Sequence, residues 1–417
     1  MNGAAAPATV AADHRAEQAD DVLAETALVD GGLDERSQVV WDAVRAVVRD
    51  VIAPAARRVD AGSSFPSEGV EALARAGLGG LLVPAALGGT GDSRLAWVVA
   101  VEEVAAGCGS TSLVFANQMH AAHPIVAFGT AAQQSRHVPG LVDCSRYGSV
   151  AITEPDAGSD AASLRTAAGR VDGGYRLSGT KTFITSGDRA DVVVVFATVD
   201  AGRGAAGVTA FLVERETPGF AVGRTLRKLG MHGSSTAELH FDDCFVPRSA
   251  RLGQEGQGFR MLVETMATSR LSAAAQGVGL ARAAWVRTAA HLAARLDPHH
   301  RAGQAEQFAL AGARARIAAA RCLLHRAAAA VDEAARRGDA APLAEVALAK
   351  QHCTDLAVEL IPELMALLGG DGDRVDLDVE RHLRDARVLP IFDGTNQIQR
   401  MLVARDNHRR LTEGRPS

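Results

Sequence analysis

Three stretches, DVVVVFATVD (191–200), GVTAFLVERE (207–216) and TAELHFDDCFVP (236–247), decide the fold. Each is short, rich in β-branched or aromatic residues, and bounded by glycine, aspartate or proline, as strands are. The turn signals DGG (172–174) and AGRGAAG (201–207) fall in the same block. Residues 149–251 therefore predict an antiparallel β-domain.

On either side the apolar period lengthens from two to between three and four. Upstream, SQVVWDAVRAVVRDVIAPAARRV (37–59) places Val39, Val40, Val44, Val47, Val48 and Val51 on one helical stripe. Pro54 is expected to end or kink that helix. SEGVEALARAGL (67–78) reads as a short helix starting at Ser67 and closed near Gly77. GLGGLLVPAALGGTG (77–91) is a loop, and SRLAWVVAVEEVAAG (93–107) resumes the helical period. Downstream, the Ala-rich runs 258–296, 308–338 and 344–370 predict long, closely packed helices. The organisation read from pattern is a tail over 1–35, a helical domain over 36–148, the β-domain over 149–251, a helical bundle over 252–410 and a short tail over 411–417. The first 35 residues lack the basic start and apolar core of a secretory signal and are too acidic for a transit peptide, so a disordered tail is expected.

Composition bounds the function. The chain has 417 residues, 47% of them apolar and 22% charged, with a mean hydropathy of +0.03, enough for a sizeable core. A net charge of −5 gives no electrostatic footprint for nucleic acid. No apolar run reaches the ~18–20 residues of a membrane span. The five cysteines are dispersed, with no CxxC pair, so neither a disulfide framework nor a structural zinc site is expected, and a reducing cytoplasm fits. Only three lysines, Lys181, Lys228 and Lys350, stand against 41 arginines, which reads as the mark of GC-rich bacterial coding.

Four segments carry possible chemistry. AITEPDAGSD (151–160) is a turn whose hydroxyls and free N–H groups could hold a polar cofactor edge; its ordinary reading is a solvated loop. GTKTFITSG (179–187) is a strand in which Phe183 could flank a flat ring while Thr185 donates to it; a strand phenylalanine is more often core. Gly369, Gly370 and Gly372 follow a long helix, where a C-cap is usual and close approach to a phosphate is the alternative. FDGTNQIQR (392–400) precedes the last helix. Asp393, Thr395 or Asn396 could cap that helix, or Asp393 could be a carboxylate aimed at a substrate. The histidines of DPHHR (297–301) have no second ligand cluster and read as a surface loop. No nucleophile elbow, P-loop or HExxH motif is present.

Taken in order, these segments resemble the acyl-CoA dehydrogenase family over roughly 36–410. The resemblance rests on FPSEGVEALARAGLGGLLVPAALGGTG, AITEPDAGSDAASLRTAA, GTKTFITSG, LRKLGMHGSSTAELHFDDCFVP, LGGDG and FDGTNQIQRMLVAR. It implies an α+β multidomain fold: a helical N-terminal domain, a middle β-domain and a C-terminal four-helix bundle, in a homotetramer. It implies FAD between β-domain and bundle, an acyl-CoA or acyl-carrier-protein thioester as substrate, and electron-transfer flavoprotein or another electron acceptor. Thr153 and Thr185 would bond the flavin ring, with Phe183 and Ile184 beside it. Ser159 would lie near the thioester and the cofactor. Gly369 and Gly370 would cover the FAD of a neighbouring subunit, and Thr395 and Gln397 would reach its nucleotide half. Arg295 and Gln304 match residues that grip the FAD pyrophosphate. Arg270 and Gly394 fall on the substrate side, and Asp393 stands at the base position. The implied reaction removes the α-proton, passes the β-hydride to flavin N5 and yields a 2-enoyl thioester.

The chain departs from the family in four places. Asp393 replaces the usual glutamate, one methylene shorter. Ser269 occupies the position where some members carry a glutamate before the arginine. The stretch around Arg295 loses the Phe-Gly that normally follows. His232 stands where arginine is common. These keep two alternatives open: a flavin-dependent monooxygenase on the same fold, and a relative without dehydrogenase activity. The dehydrogenase reading requires the 393 carboxyl to be withdrawn from bulk solvent and a slot for the flavin between sheet and bundle.

Overall fold

The structure, a computed structural model, describes residues 33–293 and 303–413. The N-terminal tail, the last four residues, Arg295 and the DPHHR run lie outside those described residues.

The chain opens with α1 (Glu35–Val47), capped by the Asp34 carboxylate accepting from the Ser37 N–H. A π-helical turn (Val48–Ile52) then leads straight into α2 (Ala53–Ala61). Pro54 thus begins a helical segment, and the regular α-helix breaks before it. The wider turn relieves the clash of its ring with the carbonyl four residues back. The helices α3 (Ser67–Arg75), α4 (Arg94–Gly107), α5 (Gly109–Phe128) and α6 (Ala131–Val142) complete the first domain. Gly77, at φ +77°, closes α3 as its sequence implies.

Eight strands follow: β1 (Gly148–Ala151), β2 (Ala167–Val171), β3 (Gly174–Thr185), β4 (Val192–Thr198), β5 (Val208–Glu214), β6 (Phe220–Thr225), β7 (Thr236–Pro247) and β8 (Arg251–Leu252). They form one sheet in the order β6-β7-β3-β2-β4-β5-β8. Its pairings are antiparallel except at β4, which takes β1 in parallel register and touches β2 in parallel at one residue pair. β4 is buried at every position, which explains its unbroken apolar run. The β3–β7 register slips between Lys181 and Ile184, a bulge that re-aims the residues between them.

The C-terminal helices are α7 (Gly258–Ala293), α8 (Gln304–Arg337), α9 (Leu343–Leu368), α10 (Val379–Ala386) and α11 (Asn396–Glu413). α7 is enclosed along most of its length, between α9 and α4. A Cβ at Gly277 would stand 2.5 Å from the Cys353 carbonyl, so the α7–α9 approach requires glycine there. Buried ion pairs lock the first domain to the bundle: Glu102 meets Arg321, and Glu103 meets both Arg282 and the Trp41 indole. No described helix is long and apolar enough to cross a membrane.

Candidate active site

The turn between α10 and α11 holds Asp393 and Gly394 in consecutive left-handed conformations, φ +55° and +85°. A non-glycine residue pays roughly 1–2 kcal/mol for that backbone, so the surroundings must enforce it. They do so by several bonds. The Asn396 N–H donates to the Pro390 carbonyl at 2.9 Å and the Phe392 N–H to Val388 at 3.3 Å. Gln399 Nε2 donates to the Gly394 carbonyl at 2.8 Å, and Lys350 Nζ, from α9, donates to the same oxygen at 3.0 Å. Of the three sequence candidates for the α11 cap, it is Thr395 whose Oγ1 accepts from the Ile398 N–H, at 3.3 Å. A Cβ on Gly394 would sit 2.8 Å from the Gln399 amide nitrogen and 3.6 Å from an Arg270 guanidinium nitrogen, and the left-handed φ favours glycine there.

Asp393 is half-buried, with one carboxylate oxygen withdrawn from solvent. Its Oδ2 is buried and bonds nothing, and its backbone N–H donates to no other described residue. Arg270, from α7, donates Nε to the Asp393 carbonyl oxygen at 3.4 Å, not to the carboxylate. Burial pushes the carboxyl up to about 6, against the pull of the Lys350 and Arg270 charges. The group is therefore anionic at pH 7 yet more basic than a surface aspartate.

A separate candidate wall is the bulge of β3. Phe183 sits there at φ +57° and is 66% exposed, so it is not a core residue. Ile184, next to it, is buried, and Thr185 is half-buried. The 152–157 loop docks on this bulge: the Thr182 N–H donates to the Thr153 carbonyl at 2.9 Å. Underneath, Lys181 Nζ bonds Glu154 Oε1 at 2.7 Å and the Ile152 carbonyl at 2.9 Å. The hydroxyls of Thr153 and Thr185 bond no other described residue.

The remaining expected residues are more dispersed. Ser159 is exposed on the loop after this wall. Gly369 (φ +59°) and Gly370 form the turn after α9, where an added Cβ would meet open space. Gln397 is exposed in the first turn of α11, and Gln304 in that of α8. Ser269 bonds the Met266 carbonyl on its own helix. His232 reaches Asp60 with Nδ1 at 3.0 Å. So the structure brings Thr153 to the Phe183–Thr185 bulge, and Arg270 to the Asp393–Thr395 turn. Gln304, Gly369 and Gly370 stand apart from these contacts.

Lys350 escaped the sequence reading. The signal was present: where surface cations are almost all arginine, each surviving lysine has an interior task. Lys181 and Lys350 are fully enclosed, and Lys228 donates to the Ser234 carbonyl at 2.6 Å.

Residues 34–145, 149–244 and 256–407 match, in order, the family descriptions "Acyl-CoA dehydrogenase, N-terminal domain", "middle domain" and "C-terminal domain". An acyl-CoA dehydrogenase of Bacillus subtilis is 36% identical over 365 residues, 87% of this chain and 95% of that protein. The butyryl-CoA dehydrogenase of Megasphaera elsdenii superposes with a TM-score of 0.86 at 33% identity, covering 91% of this chain and all of that one. The structure of PigA with FAD and proline superposes with a TM-score of 0.85 at 28% identity, covering 92% of this chain and 100% of that one. The chain belongs to the acyl-CoA dehydrogenase family, and is a flavin-dependent oxidoreductase acting on CH–CH groups.

Proposed function

We propose that this protein oxidises an acyl thioester across its Cα–Cβ bond, with FAD as cofactor and Asp393 as the base. One observation carries the reading: an enclosed, unpartnered Asp393 Oδ2 beside an unused backbone N–H of the same residue. A thioester α-proton is too weakly acidic for an ordinary carboxylate to remove at neutral pH. A donor to the thioester carbonyl stabilises the developing enolate, and the 393 N–H is free to be one. Burial raises the basicity of the carboxylate, here towards about 6.

The residues present fit the flavin. The free hydroxyls of Thr153 and Thr185 suit the polar edge of the ring, and Phe183 offers an uncovered aromatic surface held at a strained backbone. Ile184 lies beside them. Gly369, Gly370, Thr395, Gln397, Arg295 and Gln304 are proposed for the rest of FAD, part of it in a neighbouring subunit of a homotetramer. FAD, when bound, supplies the acceptor for the β-hydride, and the product is a 2-enoyl thioester. Arg270 braces the base turn from the substrate side, while Gly394 lets the chain pass without a side chain there. Ser159 is proposed near the thioester.

The carrier of the acyl group is CoA or a carrier protein of a biosynthetic pathway, and the electron acceptor an electron-transfer flavoprotein or equivalent. The cytoplasm is the proposed compartment. The test is anaerobic mixing with a panel of acyl-CoA and acyl-carrier thioesters, followed by the flavin band at ~450 nm. Asp393→Asn should slow bleaching on the order of 10²–10⁴-fold while FAD stays bound. Asp393→Glu should retain or improve it with straight chains. Equal rates for wild type and Asp393→Asn would rule out the assignment.

A further inference from the structure

Lys350 sits on α9 with its side chain fully enclosed. A buried ammonium costs several kcal/mol unless it is well bonded. Yet this one makes no ion pair among the described residues. Nζ donates to the Gly394 carbonyl at 3.0 Å and to Asn396 Oδ1 at 2.9 Å. Asn396 then donates Nδ2 to Thr354 Oγ1 at 3.0 Å and to Asp355 Oδ1 at 2.6 Å, both on α9. A single cation thus ties the left-handed turn and the first residue of α11 to one helix, while Gln399 holds the Gly394 carbonyl from α11.

The arrangement has a chemical logic. A lysine bonded directly to the Asp393 carboxylate would occupy the lone pair that must take up a proton. A lysine behind the turn aims that carboxylate and favours its anion through space, and leaves the oxygen open. We infer that Lys350 is a positioning residue for Asp393: its ammonium holds the Asp393–Gly394 turn through the Gly394 carbonyl and the Asn396 amide, and leaves the carboxylate unpaired. This inference rests on the proposed role of Asp393 as the base.

The charges facing Lys350 are few. Asp393 in the turn and Asp355 on α9 favour its charged form, and Arg270 on α7 opposes it. Asp355 is shared with Arg400 of α11, at 3.0 Å. Burial draws Lys350 down to about 8, so it is still charged at pH 7. Seen from Asp393, Lys350 and Arg270 are the two cations that offset burial.

Two variants separate the parts of the role. Lys350→Gln keeps a donor and removes the charge; Lys350→Met removes both. The first measurement needs no substrate: the Asp393 carboxyl is titrated in FAD-loaded protein by infrared difference against Asp393→Asn. Its midpoint should rise by roughly one to two pH units in both variants, because a cation that favoured the anion is gone. The second is anaerobic bleaching by the straight-chain acyl-CoA that reacts fastest with wild type. Above the shifted midpoint, Lys350→Gln should stay within several-fold of wild type. Lys350→Met should fall by on the order of 100-fold, the usual cost of a reacting group displaced by ~1 Å. If Lys350→Met does not fold, Lys350→Gln alone decides. An unchanged midpoint together with an unchanged rate overturns the inference. That failure is distinct from failure of the base reading, in which Asp393→Asn itself bleaches like wild type.

Discussion

Glu154, buried under the β3 bulge, and Asp393, half-buried in the turn before α11, are both carboxylates with a lysine nearby. Their partners differ. Glu154 accepts from Lys181 Nζ and the Thr166 N–H on one oxygen and from the Arg165 N–H at 2.6 Å on the other. Burial alone would raise its pKa, but the Lys181 charge and these bonds hold it below the usual range. Asp393 lacks any such bond on Oδ2, its lysine bonds the backbone instead, and its pKa rises. A carboxylate with both oxygens engaged is a structural pin. One with an idle oxygen in a dry place is able to take a proton.

The contrast can be broken from either end. The largest effect expected is on Glu154→Gln, which strands the Lys181 ammonium. Loss of one partner from a buried pair should cost about 3–5 kcal/mol in urea unfolding. A loss below about 1 kcal/mol would mean that water reaches this pair and that the contrast is empty.

The two carboxylates also predict opposite pH dependences. Glu154, with a lowered pKa, contributes stability that is present above the ordinary glutamate range and fades as acid protonates it. Asp393, with a raised pKa, stabilises the fold only while protonated, below its ordinary value near 4; that contribution is lost as pH climbs through about 6. Asp393→Asn should therefore melt a few degrees higher than wild type at pH 7.5, with the gap closing towards pH 4. Wild-type bleaching should fall as pH drops through about 6. A variant that melts lower at pH 7.5 would show Asp393 to be a pin like Glu154.

The smallest effect concerns the bulge. Phe183→Gly relieves a left-handed backbone at a residue that is mostly exposed. It should leave stability unchanged or raise it by about 1 kcal/mol. FAD should nevertheless be released more readily on dilution, measured by fluorescence of free flavin. Loss of stability without loss of flavin would return Phe183 to the role of a packing residue.

Much of this was legible in the sequence. The change of apolar period at residues 149 and 251 marks the change from helix to sheet and back, because buried faces repeat with the geometry of the element. The FDGTN turn could be picked out by composition, but not its geometry. Three candidates for the cap look alike in sequence; the left-handed backbone excludes Asp393, Asn396 is already inside the helix, and Thr395 is left. Phe183 illustrates the converse. A phenylalanine between Thr182 and Ile184 in a strand looks like core, and it takes the slipped register against β7 to turn it outward. Pro54 is expected to end or kink a helix, and the regular α-helix does break before it, at a π-helical turn that leads into the next helical segment. Lys350 was hidden because its partners come from other segments, 44 and 46 residues along the chain.

The scarcity of lysine has a practical side. Of the three in the chain, two have no accessible surface and the third has its amine tied to a carbonyl. Reagents that acylate amines will find little on the native protein beyond the amino terminus, so cross-linking, dye labelling and surface immobilisation by that route will under-report its neighbours. Carboxyl- or arginine-directed chemistry is the better handle. Rapid cleavage at Lys350 by a lysine-specific protease would signal that the bundle has opened.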